Sequence, residues 1–199
     1  MSKIANAFKD GKAFIGFLTA GDPTIEKTVE YILAMEEAGC DLIEIGIPFS
    51  DPMAEGVVIQ DANIRALGHN TTTDDVFEIV RKVRQKTDVP LVFLTYINPV
   101  FFYGYEKFFK KCSELGIDGI ISPDLPYEEK GEIKDIALSN DVDVISLIAP
   151  TSKERIVIPM AKQKPRTLSG FMELLPVPQQ QMERIMEILR NTYSLYGFT

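Results

Sequence analysis

Apolar residues over the first 149 positions alternate between short unbroken runs and longer stretches with apolar positions every three or four residues. Unbroken runs mark strands buried on both faces, and the wider spacing marks helices with one apolar side. Ala13–Thr19 is the first predicted strand, and Gly21-Asp22-Pro23 turns out of it. Thr24 stands as an N-cap before Ile25, Val29, Ile32 and Leu33, and Gly39 stops that helix. Leu42–Ile47 is the second strand, followed by a helix over Ile59–Leu67. Thr72 and Asp75 have the spacing of a capping box ahead of Val76, Phe77, Val80 and Val83. Leu91–Tyr96, Gly119–Ser122 and Val144–Ala149 are the third to fifth strands, with helices over Glu106–Leu115 and Glu128–Leu138 between them.

Strands alternating with helices call for a parallel α/β sheet. Each predicted strand ends in a polar or proline-rich loop: Thr19–Pro23, Pro48–Pro52, Tyr96–Pro99, Pro123–Pro126 and Pro150–Ser152. A (β/α)8 barrel builds its site from such loops. A doubly wound sheet gives the same alternation, but its first turn is normally glycine-rich, and Gly21-Asp22-Pro23 is not. The barrel is therefore the preferred architecture.

One stretch, Leu42–Gln60, breaks the apolar rule. Glu44 sits inside the second strand, and Glu55 follows in the loop after Pro48. A carboxylate within a buried strand is costly unless paired or used. Two carboxylates, one on a strand and one on the next loop, suggest acid–base chemistry.

Composition narrows the partners. The chain of 199 residues has 21 Lys and Arg against 29 Asp and Glu, net −8, and no basic run, which argues against nucleic acid. Cys40 and Cys112 lack metal-ligand spacing and read as reduced core thiols, and no other metal-ligand pattern occurs. No run reaches the ~20 apolar residues of a membrane span, and the N-terminal segment lacks the apolar core of a signal peptide, so a cytoplasmic protein is expected. His69, the single histidine, falls beyond a helix end and reads as an exposed turn residue. After about residue 150 the character changes. All thirteen Asp lie at or before Asp143, and residues 150–199 carry seven Lys or Arg against four Glu. The β/α repeat stops after five units, so the expected domains are a partial barrel over residues 1–162 and a divergent tail over 163–199, possible helix near 179–190.

At Glu44–Gly56 the chain closely resembles the signature of the tryptophan synthase alpha-chain family: Glu44-Ile-Gly46-Ile-Pro48-Phe49-Ser50-Asp51-Pro52-Met-Ala-Glu55-Gly56, then Ile59-Gln60 and Arg65-Ala66-Leu67. Phe17-Leu-Thr-Ala-Gly-Asp-Pro23, Leu94-Thr-Tyr96-Ile-Asn98-Pro99 and Pro123-Asp-Leu-Pro126 agree in order. The resemblance implies a (β/α)8 lyase that cleaves indole-3-glycerol phosphate into indole and glyceraldehyde 3-phosphate. It also implies a beta-chain partner in an alpha2-beta2 complex, with pyridoxal phosphate held by the beta chain and no cofactor in this one. By the same match Glu44 is the general acid/base and Glu55 faces the indole nitrogen. Phe17, Leu94 and Tyr96 line the indole pocket, although Tyr96 also reads as plain core. Pro48, Asp51, Asn98, Asp124 and Pro126 belong to loops that face the beta chain, and Phe101-Phe102-Tyr103 reads as a partner-facing loop patch.

The match is not uniform. Glu55 stands where Asp is commoner, moving the carboxylate about 1.5 Å, and misplacements near 1 Å can cost about 10²-fold. Gly16 and Val57 stand where Pro is frequent. Beyond Lys162 the sequence lacks the Gly-Val-Thr-Gly-type loop and the Gly-Ser turn that hold the substrate phosphate in the family. Three readings stay open: an active lyase subunit, an inactive fragment that at most binds the beta chain, and a chain whose open parallel edges leave it without function. A reading-frame slip near Lys164 accounts for the tail; sequencing of the gene is expected to find the missing motifs in the alternate frame, and their absence there removes the idea.

Overall fold

The computed structural model describes residues 3–148, and within them the alternation becomes five parallel strands in the order β1-β2-β3-β4-β5. They are β1 (Ile15–Thr19), β2 (Leu42–Gly46), β3 (Leu91–Leu94), β4 (Gly119–Ile121) and β5 (Asp143–Ile145). The helices are α1 (Lys3–Ala7), α2 (Ile25–Glu37), α3 (Val57–Gly68), α4 (Thr73–Arg84), α5 (Ile97–Tyr103), α6 (Tyr105–Leu115) and α7 (Gly131–Ser139). Among the described residues no helix is long and apolar enough to cross a membrane. The tail over 163–199 and its expected helix lie outside the described residues.

Parallel pairing makes register decide which side chains share a face. Ile43, Ile45, Leu91, Phe93 and Ile120 point to one side and meet α2, α4, α6 and α7 through Ile32, Phe77, Val80, Phe108, Phe109, Cys112 and Ile133. Phe77, Phe93 and Phe108 pack ring on ring, with centroids 5.4–6.0 Å apart. The other face carries Leu42, Val92 and Ile121, with Ile15, Leu94 and Ile145 beside them and α1 contributing Ile4 and Ala7. A Cβ on Gly119, the first residue of β4, would lie 2.9 Å from Ile4 Cδ1, so α1 closes the N-terminal end of this face. Burial of both faces explains why the strands read as continuous apolar runs.

Local signals hold where they were read. The Thr24 hydroxyl caps α2 through Lys27 N, and Thr72 with Asp75 forms the full capping box of α4. Two helices differ from expectation. α1 is too short for a periodicity to register. α5 occupies Ile97–Tyr103, read from sequence as loop, with Pro99 in its first turn. Proline is tolerated there because the first amides of a helix lack intrahelical acceptors in any case. Phe101 and Phe102 are consequently helical and exposed, whereas Tyr103 packs on Phe77 and Phe108.

The N-terminal side of the sheet is tied by Arg84. Its guanidinium donates to the carbonyls of Val89 at 2.6 Å and Gly116 at 2.6 Å, and pairs with Asp118 at 3.0 Å. Asp118 also accepts from Leu91 N, the first amide of β3. Both side chains are largely removed from solvent, and breaking a buried pair leaves the other charge uncompensated. Arg84→Ala is expected to cost about 3 kcal/mol of stability, read as a lowered urea midpoint with unchanged slope.

Candidate active site

Strand register assembles the site. Phe17, Glu44, Val92, Gly119 and Asp143 form one row across the sheet, and Thr19, Gly46, Leu94, Ile121 and Ile145 form the next row toward the C-terminal ends. Both rows share the face opposite the helical layer, and the loops that follow the strands rise beyond them. Glu44 thus lies between Phe17 and Val92 at the middle of β2. It is half-buried, and among the described residues no hydrogen bond or ion pair reaches its carboxylate. Burial raises its pKa above the ordinary carboxylate value.

Gly46 makes room beside it. A Cβ there would lie 2.9 Å from the Phe17 ring, so the glycine lets that ring lie over the strand end. Leu94, partly buried, stands next to Gly46. Phe17, Glu44 and Leu94 therefore stand on one face of the sheet in adjacent rows.

Glu55 comes from the loop before α3 and is brought to Tyr96, just past the end of β3. The Tyr96 hydroxyl accepts from Met53 N at 2.8 Å and Ala54 N at 2.7 Å, and donates to Glu55 Oε2. The Phe49 ring packs against Tyr96 with centroids 5.3 Å apart. Gln60 Nε2 donates to the Glu55 carbonyl at 2.9 Å. Burial, and then the Glu55 carboxylate, raise the pKa of the Tyr96 phenol. Phe49 and Gln60 were visible in the motif but carried no assigned role; their part depends on a side-chain bond between residues 41 apart in sequence.

The remaining loop residues divide. Pro48 is buried beneath the site, whereas Asn98, Pro126 and Asp51 are exposed. Ser50 Oγ donates to Asp51 at 2.5 Å. Asp124 accepts from Ile97 N at 3.0 Å and Ser122 Oγ at 2.9 Å, joining the loop after β4 to the first turn of α5. Asp22 receives a two-pronged bond from Arg65 at 2.8 and 2.9 Å, which ties the loop after β1 to α3. His69 ends α3 and is exposed. Cys40 and Cys112 are buried free thiols, and burial raises the pKa of both.

A half-buried acid in the middle of β2 and a second acid on the loop that follows that strand are the groups that acid–base chemistry with a developing positive charge calls for. Comparison with known proteins agrees with the fold and the motif. The family model described as tryptophan synthase alpha chain matches residues 4–171. The curated tryptophan synthase alpha chain of Lacticaseibacillus casei is 48% identical over 171 residues, covering 86% of this chain and 62% of that protein. That of Alkaliphilus metalliredigens is 50% identical over 161 residues, covering 78% and 60%. The chain spans about three-fifths of the length of these relatives. Among solved structures, the tryptophan synthase alpha subunit of Legionella pneumophila str. Paris superposes with a TM-score of 0.77 at 37% identity, covering 79% of this chain and 63% of that one. A tryptophan synthase complex from Pyrococcus furiosus contains a chain that superposes with a TM-score of 0.71 at 35% identity, covering 74% and 62%.

The raised pKa of Glu44 has a thermodynamic sign. The folded chain holds this proton more tightly than the unfolded chain, so stability falls as pH rises through the unfolded value toward the folded one. Glu44→Gln is accordingly expected to raise the urea midpoint at about pH 7 and to change it less at about pH 4, where the native carboxyl is already protonated. Equal shifts at both pH values would contradict the burial argument.

Proposed function

Because the chain belongs to the tryptophan synthase alpha-chain family, a family of lyases built on the (β/α)8 barrel, we propose that it carries the acid–base half of that family's site. The substrate is indole-3-glycerol phosphate, and the products are indole and glyceraldehyde 3-phosphate. The observation that carries this is the half-buried carboxyl of Glu44 at the middle of β2, raised in pKa, unpaired, and flanked by Phe17 of β1. A carboxyl that starts protonated delivers its proton to the ring carbon bearing the glycerol chain, and positive charge develops on the indole nitrogen. The Glu55 carboxylate steadies that charge. Glu44, now ionised, removes the proton of the neighbouring glycerol hydroxyl. The carbon–carbon bond breaks as the aldehyde forms, and its electron pair returns to the ring, neutralising the nitrogen. Phe17 and Leu94 flank the indole plane.

The partner in this proposal is a beta chain, which holds pyridoxal phosphate and consumes the indole in the cytoplasm; this chain supplies no cofactor. Exposed Asn98, Pro126 and Asp51, with Asp124 and buried Pro48 behind them, form the loops turned toward it. The second reading is an inactive fragment that binds the beta chain through these loops, and it is favoured by the three-fifths span.

Indole release by the purified 199-residue chain, with and without a beta chain, separates the two. Turnover at least ~10³-fold below a full-length relative is expected of these 199 residues, which carry no Gly-Val-Thr-Gly-type loop or Gly-Ser turn for the substrate phosphate, and Glu44→Gln is expected to abolish it. No release under either condition leaves the fragment; turnover equal to a full-length relative contradicts the account of the tail.

A further inference from the structure

Tyr96 was expected to line the indole pocket, yet its polar end is fully occupied. A phenol oxygen has one proton to donate and two lone pairs to accept with. Met53 N and Ala54 N take the acceptor positions, so the proton goes to Glu55 Oε2. The side chain is nearly sealed, at 3% exposure, and the Phe49 ring packs on it. No hydrogen-bonding capacity is left for a ligand. The loop it grips is otherwise loosely held: Met53 is 86% exposed, and Ala54 and Gly56 are exposed too.

We infer that Tyr96 is a positioning residue whose hydroxyl latches the Met53–Glu55 loop to the end of β3 and presents Glu55 with one carboxylate oxygen engaged and the other free. Among the described residues Glu55 Oε1 has no hydrogen-bond partner, so it is the oxygen available to a substrate N–H. Gln60, one turn into α3, holds the Glu55 backbone carbonyl at 2.9 Å. The positioning half of this inference rests on the lyase reading above; the latch does not.

Hydrogen exchange and kinetics test the two halves separately. In Tyr96→Phe, which keeps the ring and removes the hydroxyl, the Met53 and Ala54 amides are expected to exchange at least ~10-fold faster while those of Val92–Leu94 keep their rates. In Glu55→Ala the hydroxyl still accepts both amides, so they are expected to stay slow. Unchanged exchange in Tyr96→Phe, or equal acceleration in Glu55→Ala, overturns the latch. Acceleration that spreads equally to Val92–Leu94 makes Tyr96 a core residue and overturns the inference as well. In turnover, Tyr96→Phe is expected to lower kcat more than it changes KM, and to have no further effect once Glu55 is replaced by Gln. Additive losses overturn the positioning role. Absence of indole release from the unsubstituted chain removes the lyase reading and the positioning role with it, and exchange alone then decides the latch.

Discussion

A carboxyl set into an apolar row without a counter-charge is the constraint from which the upper half of this molecule follows. Glu44 sits between Phe17 and Val92, in a row whose only other charged residue is the exposed Asp143 at the edge strand β5. Desolvation favours its protonated form, and no nearby cation offsets that effect. A structural carboxylate would be expected to have acquired a partner, as Asp118 has in Arg84 and Asp22 in Arg65. The unpaired acid instead stands without a counter-charge in a half-buried position, a cost that the layers packed around it offset.

Those layers are unequal. At the N-terminal ends of the strands, α1 packs on the sheet as far as Gly119, and the Arg84–Asp118 bonds tie the neighbouring loops together. At the C-terminal ends, the strands give way to loops whose polar groups are tied pairwise: Tyr96 to the loop before α3, Asp124 to α5, Asp22 to α3. The division between a stabilising floor and a loop-bearing rim is the one expected of a (β/α)8 barrel. It keeps the two carboxylates on separate elements, Glu44 on a rigid strand and Glu55 on a loop pinned by side chains.

The sequence carried most of this at the level of elements. Strand positions, the α2 and α4 caps and the placement of Glu44 on β2 were legible because buried parallel strands and capping residues obey local rules. α5 was hidden because Pro99 reads as a helix breaker except in the first turn, where it stands. The loop over residues 53–55 was hidden for another reason. Its geometry depends on a phenol 41 residues away, and no pattern of apolar and polar positions encodes such a bond. Gly46 belongs between these cases: its place in the motif was plain, and its purpose, to admit the Phe17 ring, needed coordinates.

Glu44's ionisation tests the central claim most directly. Carbon-13 NMR titration of the glutamate carboxyls, with Glu44 assigned through the Glu44→Gln variant, reads its protonation in the folded chain without requiring turnover. A Glu44 carboxyl that loses its proton at clearly higher pH than the exposed glutamates, such as Glu26 and Glu106, is the predicted result. Titration together with those exposed residues would contradict the account, because the row would then hold an ordinary solvated carboxylate and no stored proton.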